Sequence, residues 1–599
     1  MEYVNSPDCP ASTPWFCRVQ GTLHWGDACG KGLGHGAHGL WGQPSPDISD
    51  DFHVFSVEWS SKKIAWSVDG VEYWSQNASA VEIPQTPFHF IINTARRPEA
   101  WQGFPWPVQF EIDWVRAWAP VNPLKTDDVL APFRKGGRSR RMITQKARCQ
   151  WPMSTPRCIE LLTTGWLFSN ISAADSSTTA TARVVTIPHD FVIEGDFAHD
   201  LGNRDHGYLP RGVGYYTRMV EAPAAGAGGT AYLHFEGAFR DTRVYIDGAQ
   251  VAHHLSGYTG FTVPLAKRSQ VLTVVCNATL GEGWFYEGGG IYRPVHLVQT
   301  SNPLRVLHDG VFVSPQIRGR IRCNRTVQQN RSGGECTADV AAITTQVEVV
   351  NDRSSNATFS VTVVLHAPDG AVVGSASSSV QSVERGSTTV TRVVVVVQNV
   401  SLWSIDAPHL HTMVTTLTDP AGLAVGYTKV AATAVDRVTT PFGVRKVRWS
   451  PDSGMLLNEQ QVRLNGFANH QDLGGLGTAV PDPLQDYRVH RMKELGANAW
   501  RCAHNPPNPA LVGAMDRLGM VVIVENRRFG PSDNYDKHHA APPVNATQIA
   551  ADVVTMVRTF RNSPSVVLWS LCNEEGCFEH LDTNLPGLSV GASVKQLIA

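Results

Sequence analysis

From Gln461 onward, short apolar runs alternate with amphipathic stretches, and each apolar run ends in polar residues. That alternation constrains the fold most, because it describes a parallel sheet covered by helices. Gln461 to Ala468 predicts a first strand ending at Asn469-His470-Gln471-Asp472. Asp482 to Leu495 predicts a helix, with Leu484, Tyr487, Val489, Met492 and Leu495 near helical spacing and Gly496 closing it. Asn498 to Cys502 is a second strand running into His504-Asn505-Pro506-Pro507, and Pro509 to Leu518 a second helix. Met520 to Val524 is a third strand ending at Glu525-Asn526-Arg527, and Gln548 to Arg561 a third helix. Ser565 to Leu571 is apolar and β-branched, which predicts a fourth strand buried on both faces, and it delivers Asn573-Glu574. Four β/α units in order make half of a (β/α)₈ barrel, where chemistry sits at the C-terminal ends of the strands. Glu574 is thus placed to act as an acid or base. Its bland alternative is a surface charge that opens the next helix.

Asn469-His470-Gln471-Asp472, Arg501-Cys502-Ala503-His504-Asn505-Pro506, Glu525-Asn526 and Trp569-Ser570-Leu571-Cys572-Asn573-Glu574 together resemble glycoside hydrolase family 2, which holds β-galactosidases, β-glucuronidases and β-mannosidases. Upstream, Ile187-Pro188-His189-Asp190, Gly214-Tyr215-Tyr216, Phe235-Glu236-Gly237, Val244-Tyr245-Ile246-Asp247-Gly248 and Gly290-Ile291-Tyr292-Arg293-Pro294 are similar to that family's N-terminal sugar-binding jelly roll. Short alternating strands between Gly, Asp and Asn turns argue for an antiparallel sandwich there independently. Val311 to about Val438 reads as a smaller Ig-like sandwich, clearest at Thr358–His366 and Ser387–Gln398. Leu402-Trp403-Ser404 and Thr440-Pro441-Phe442-Gly443-Val444-Arg445 resemble the family's exits into the barrel.

The resemblance implies that Glu574 is the general acid/base of a retaining glycosidase and that Asn573 binds the sugar 2-hydroxyl. Such an enzyme sets two carboxyl groups about 5 Å apart. The family's nucleophilic glutamate lies on a later strand, so it is expected to be missing from a chain ending at Ala599. By the same resemblance His470, Arg501, His504 and Asn505 line the sugar subsite or orient the nucleophile. Each could instead be a satisfied polar residue at a strand end. The ligands that hold magnesium in bacterial β-galactosidases have no match after Glu525-Asn526, where Arg527-Arg528-Phe529-Gly530 follows, so no divalent cation or other cofactor is expected.

Residues 1 to 120 read separately. Phe52 to Trp59, Ile64 to Gly70 and Phe110 to Arg116 alternate as strands of an aromatic-rich sandwich. Gly21-Thr22-Leu23-His24-Trp25-Gly26, Val57-Glu58-Trp59 and Val68-Asp69-Gly70 resemble glycoside hydrolase family 16, the laminarinase and agarase group. Met1-Glu2 matches the tail of that family's Glu-x-Asp-x-x-Glu strand, so Glu2 would be an acid/base whose nucleophile is not in the chain. The bland alternative is an N-terminal surface charge. The chain is therefore expected to begin inside one glycosidase site and end inside another, as a truncated gene model would.

The 51 basic and 53 acidic residues form no sustained basic face, which argues against nucleic acid as a partner. No apolar run reaches the roughly 18 residues a membrane helix needs. Eight Asn-x-Ser/Thr sequons, at Asn77, Asn170, Asn277, Asn324, Asn330, Asn356, Asn399 and Asn545, favour a secreted or vesicular location. Cys323 and Cys336 bracket a polar insertion and could pair, whereas Cys502 and Cys572 read as buried thiols. The expected organisation is a multidomain chain. It comprises a family 16-like sandwich remnant (1–120), a basic linker (121–158) and a jelly roll (159–302), then an Ig-like sandwich (303–438) and the N-terminal half of a TIM barrel (439–599). The expected activity is a retaining, β-galactosidase-like glycosidase with a carbohydrate substrate and no assigned oligomeric state. The alternatives are β-glucuronidase-like specificity, a non-catalytic carbohydrate-binding protein or pseudoenzyme, and a family 16 β-glucan or galactan hydrolase.

Overall fold

Among the described residues strands with period-two burial dominate, and the α-helices lie in the last quarter of the chain. The computed structural model describes residues 2–3, 19–25, 35–41, 55–59, 62–68, 71–77, 155–172, 182–199, 206–221, 229–265, 269–281, 283, 285–324, 335–420, 433–527, 546–571 and 573. Two compact units divide it, Met1–Trp118 and Ala119–Ala599. In the first, Glu2–Tyr3, Val19–Trp25 and His35–Trp41 form one antiparallel sheet, with Glu2 opposite Gln20. Phe55–Trp59, Lys63–Val68 and Val71–Asn77 form another, on which Trp66 and Trp74 stack at 4.3 Å. The strand expected at Phe110 to Arg116 and the basic run Arg134 to Arg148 lie outside the described residues.

The second unit opens with two antiparallel sheets. Strands Ala249–His254, Thr242–Ile246, Ser269–Asn277, Gly212–Glu221, Trp166–Ser172 and Arg183–Val185 lie side by side in that order. Facing them are Phe261–Leu265, Thr230–Phe235, Val295–Thr300 and Arg157–Leu161. Trp166, Phe168, Tyr216, Leu233, Phe235 and Val274 fill the space between, as two inward-facing sheet surfaces must. A smaller sandwich follows. Leu304–Cys323, Cys336–Asn351 and Thr388–Ser401 make one sheet, and Ala357–His366, His411–Asp419 and Thr433–Phe442 belong to the other. In Thr388–Ser401 alternate valines, among them Val393, Val395 and Val397, point into the core. The Cys323–Cys336 disulfide closes the hairpin between the first two strands, as their spacing anticipated.

The last layer is a parallel sheet of Gly466–Asn469, Ala499–Cys502, Val521–Glu525 and Val566–Ser570, in sequence order. Helices Asp482–Glu494, Pro509–Leu518 and Ala546–Phe560 connect its strands. Three expectations need correction. The run from Gln461 to Ala468 is not one strand. Gln460–Val462 closes an antiparallel meander with Val447–Ser450 and Gly454–Leu457, and the barrel strand starts only at Gly466. The first helix does not bury the stripe expected of it, because Tyr487 and Leu495 are solvent-exposed. Its inner face is Gln485, Arg488 and Val489. The strand Val566–Ser570 is not buried on both faces, since Leu568 is 38% exposed. It is the edge strand among the described residues, so one flank lacks the cover a central strand has.

Trp403 fastens the smaller sandwich to the barrel. Its fully buried ring packs with Ile405, Met455, Leu457 and Val521, and its Nε1 donates to the Asp516 carbonyl at 2.8 Å. The Asp516 carboxylate accepts from the Ser565 amide (3.0 Å) and hydroxyl (2.6 Å). Burial pushes this carboxyl up to about 6 despite those donors. A raised folded-state pKa gives stability that is complete below the ordinary value near 4 and lost as pH rises through 6. At about 1.4 kcal/mol per pKa unit the loss is about 3 kcal/mol. Asp516→Asn keeps the acceptor and removes the titration. The unfolding midpoint of this variant should therefore gain on the parent between pH 4 and 7, and a gap that is constant with pH would refute the assignment.

Candidate active site

The parallel sheet brings four strand ends together, and Glu525 stands at their centre with 1% of its surface exposed. Arg501, from the neighbouring strand, donates to Glu525 Oε2 through Nε (3.1 Å) and Nη2 (2.8 Å). His504 Nδ1 lies 2.7 Å from Oε1, and the Ser570 hydroxyl donates to Oε2 at 3.0 Å. Arg501 Nη2 reaches the Asn573 side-chain oxygen as well, at 2.7 Å. Burial by itself would raise the Glu525 pKa, but the bonds from His504 and Arg501 hold it below the usual carboxylate range. The cluster is therefore a fixed anion that aims Arg501, His504 and Asn573 along one rim.

A second group sits beside it. The His470 ring stacks on Phe285 at 4.6 Å and meets His504 edge-on at 5.5 Å. Burial lowers the His470 pKa, so its ring stays neutral further into acid than an ordinary histidine. Asn505 donates to Gln471 Oε1 (3.2 Å) and to the Pro506 carbonyl (2.9 Å), while its own side-chain oxygen is buried with no partner among the described residues. Arg488, on the inner face of the first helix, holds the His470 carbonyl (2.6 Å) and the Gln471 carbonyl (3.0 Å).

The large sandwich reaches into this mouth. Arg293, 2% exposed, donates to Tyr258 O (2.8 Å), Pro506 O (2.7 Å) and Gln471 Oε1 (3.3 Å). Asp190 Oδ1 accepts from the amides of Val192 (3.1 Å) and Gly289 (3.0 Å). Its Oδ2 accepts from Tyr286 OH (2.8 Å), the Thr478 amide (2.9 Å) and the Thr478 hydroxyl (3.0 Å). Gly477 and Gly288 approach with positive φ, and a Cβ on either would come within 2.3 to 2.4 Å of that carboxylate. Asp190 thereby pins the Phe285 segment to the barrel rim.

Family models now put the arrangement in context. The glycosyl hydrolases family 2 TIM barrel domain matches residues 450–588, the glycosyl hydrolases family 2 model matches 331–445, and glycosyl hydrolases family 16 matches 20–116. Two segments of the chain thus match family 2 glycoside hydrolase domains. A β-galactosidase of Bacteroides ovatus is 31% identical to the chain over 405 residues, covering 65% of it and 43% of the relative. A β-glucuronidase of Bacteroides fragilis is 26% identical over 430 residues, covering 69% of the chain and 56% of the relative. The chain thus spans about half the length of the curated relatives it matches. Among solved structures, a family 2 member from Bacteroides cellulosilyticus superposes with a TM-score of 0.57 at 25% identity, covering 69% of the chain and 51% of its own. A β-glycosidase from Bacteroides vulgatus shares the fold at a TM-score of 0.55 and 24% identity, covering 69% and 50%.

Of the residues singled out from sequence in the family 2-like portion, Arg501 and His504 bind Glu525, Asn573 accepts from Arg501, and His470 and Asn505 lie beside them. Glu574 lies outside the described residues, and Glu2 is described only as a position on a strand. Sequence reasoning put Glu525 at a strand end without a role, quoted Asp190 and Arg293 only within jelly-roll motifs, and missed Phe285 and Arg488. An aromatic triplet Trp284-Phe285-Tyr286 inside a glycine-rich stretch was the available signal for the first. Among the described residues, no group of three or more His, Cys, Asp or Glu is arranged to hold a metal ion, and no helix is long and apolar enough to cross a membrane.

Proposed function

We propose that this chain is the sugar-recognising and acid/base portion of a retaining β-glycosidase, with β-galactosides as substrate and β-glucuronides as the second reading. The observation that carries it is the pairing of Arg501 and His504 with a buried carboxylate at the strand ends of a family 2-like barrel sheet, with Asn573 held by Arg501. In this reading Glu574, next to Asn573, protonates the glycosidic oxygen and later activates water. Asn573 and Asn505 hold sugar hydroxyls, and His470 and His504 wall the subsite. The nucleophilic carboxylate comes from a barrel strand outside the four described here, and no cation takes part. The two large modules before the barrel serve as the family's jelly roll and Ig-like sandwich. The 2–3 and 19–77 strands are a family 16-like sandwich in which Glu2 would be the corresponding acid/base. The Cys323–Cys336 disulfide and the exposed sequons at Asn356 and Asn399 favour an oxidising, secretory setting.

The test is a panel of 4-nitrophenyl β-galactoside, β-glucuronide and β-mannoside, assayed on protein from the complete gene with and without Glu574→Gln. The galactoside should turn over fastest, and the variant should lose at least about 100-fold, the lower range for removing a general acid. Unchanged turnover in Glu574→Gln would remove the acid/base assignment, and a preference for the glucuronide would move the substrate to the second reading.

A further inference from the structure

The smaller sandwich ends one of its sheets on a strand that lacks the usual protection of an edge. Among the described residues Thr388–Ser401 is the outer strand of the sheet it shares with Leu304–Cys323 and Cys336–Asn351. It runs for 14 residues, holds no proline or lysine, and contains five consecutive valines, Val393 to Val397. Val393, Val395 and Val397 are buried, whereas Val390, Val394 and Val396 are 52%, 50% and 62% exposed, with Arg392 as the one charge on the strand. An unpaired row of amides and carbonyls beside an apolar, β-branched face is a template for pairing with another chain. Natural sheets blunt such edges with charge, proline, a bulge or a cover.

The strand carries its own means of cover. Strict alternation would send residue 399 inward after Val393, Val395 and Val397. Instead Asn399 takes a left-handed φ of 50°, which asparagine tolerates better than most residues, and the alternation shifts there. Gln398 and Asn399 are both exposed, and Val400 is buried. The residue so turned outward is the acceptor of the sequon Asn399-Val400-Ser401. Asn277, another sequon acceptor, is placed quite differently. It is half-buried on a strand flanked by two others, its Nδ2 donates to Asp241 at 3.4 Å, and its Oδ1 accepts from the Thr279 hydroxyl at 2.7 Å. A sugar on that nitrogen would break the contact and enter packed structure. Asn356 is exposed beside the turn that leads into Thr388–Ser401, and its Oδ1 accepts from the Arg385 amide at 3.1 Å. Glycosylation replaces an Nδ2 hydrogen and leaves Oδ1 an acceptor, so that bond survives.

We propose that Asn399 is an N-glycosylation site whose glycan covers the exposed valine face of Thr388–Ser401. The proposal rests on the secretory setting proposed above. In the step, Asn399 Nδ2 attacks C1 of a polyprenyl-diphosphate-linked oligosaccharide. The N–C bond forms as the C–O bond to the diphosphate breaks, one Nδ2 proton passes to a base on the transferase, and the lipid diphosphate leaves. At 3.3 Å per residue, Val396 lies about 10 Å from Asn399 along the strand, close beneath a bulky, solubilising group. The experiment expresses the protein from its complete gene, with its own N-terminus, in a eukaryotic host. N-glycans are released enzymatically in heavy-oxygen water, and the labelled aspartates are mapped by peptide mass spectrometry. Positions 399 and 356 should carry the label and 277 should not. Ser401→Ala should lose the label at 399, keep it at 356, and shift sedimentation from the parent's form to larger assemblies. Ser401→Thr, which keeps the sequon, should behave as the parent. If Ser401→Ala does not fold, deglycosylating the folded parent gives the same comparison. Adding Val394→Thr and Val396→Thr to Ser401→Ala should return the parent's sedimentation. Label at 356 but not at 399 would overturn the proposal and leave the secretory setting standing, whereas a protein with no labelled sequon would overturn both. Label at 277, or parent-like sedimentation without the glycan at 399, would overturn the proposal as well.

Discussion

Glu525→Leu is expected to destabilise the barrel portion by about 3 kcal/mol, the lower end of the range for removing one partner of a buried ion pair. It deprives buried His504 and the Arg501 guanidinium of their shared acceptor, and it strips the Ser570 hydroxyl as well. The lower end applies because the Arg501 side chain is about a third exposed, at 35%, and water recovers part of its loss. Urea unfolding of parent and variant checks the magnitude, and coincident midpoints would show that the cluster contributes nothing. The pH dependence has a fixed sign. Glu525 titrates below its ordinary value in the fold, so its contribution is complete above about pH 4.5 and lost as acid protonates it. The gap between parent and Glu525→Leu should therefore narrow on acidification, opposite to the behaviour expected around Asp516.

Asp190→Ala should cost about 3–5 kcal/mol, because five donors lose one buried acceptor and each unsatisfied group carries a penalty of about 1–3 kcal/mol before relaxation. Its more informative effect is local. Without the bonds to Tyr286 and Gly289, the Phe285 ring is no longer pinned on His470. Burial is the main cause of the depressed His470 pKa, so the His470 titration followed by NMR should rise toward the ordinary histidine value in the variant. A stability loss with an unmoved His470 titration would mean that Asp190 braces the sandwich alone and does not shape the rim.

The barrel portion was legible because its signals are local. Pro509 and Gly519 bracket a helix whose ends the structure reproduces, and the strand ends at Cys502 and Glu525 carry the polar residues that meet in space. The strand expected from Gln461 failed because apolar Leu464 continues a pattern that the backbone breaks over residues 463–465, between the end of the meander at Val462 and the start of the sheet at Gly466. The first helix failed on its face. Arg488 is drawn inward by two carbonyls beyond its own element, and no periodicity records a partner 17 residues away in the chain. The rim contacts of Phe285 and Arg293 were hidden for the same reason, although both residues stand in local motifs, since those contacts are made about 180 to 210 residues downstream.

The reach of the large sandwich into the barrel mouth separates two evolutionary pressures. Under the proposed function the strand leading to Asn573-Glu574 must preserve its spacing for bond cleavage, whereas the glycine-rich segment around Phe285 hangs from a different scaffold and is tied to the rim through Asp190 and Arg293 among others. Substitutions between those two anchors can reshape what the mouth admits while the barrel strands stay as they are. Exchanging residues 281–290 between relatives with different sugar preferences is accordingly the shortest graft by which selectivity could be transplanted.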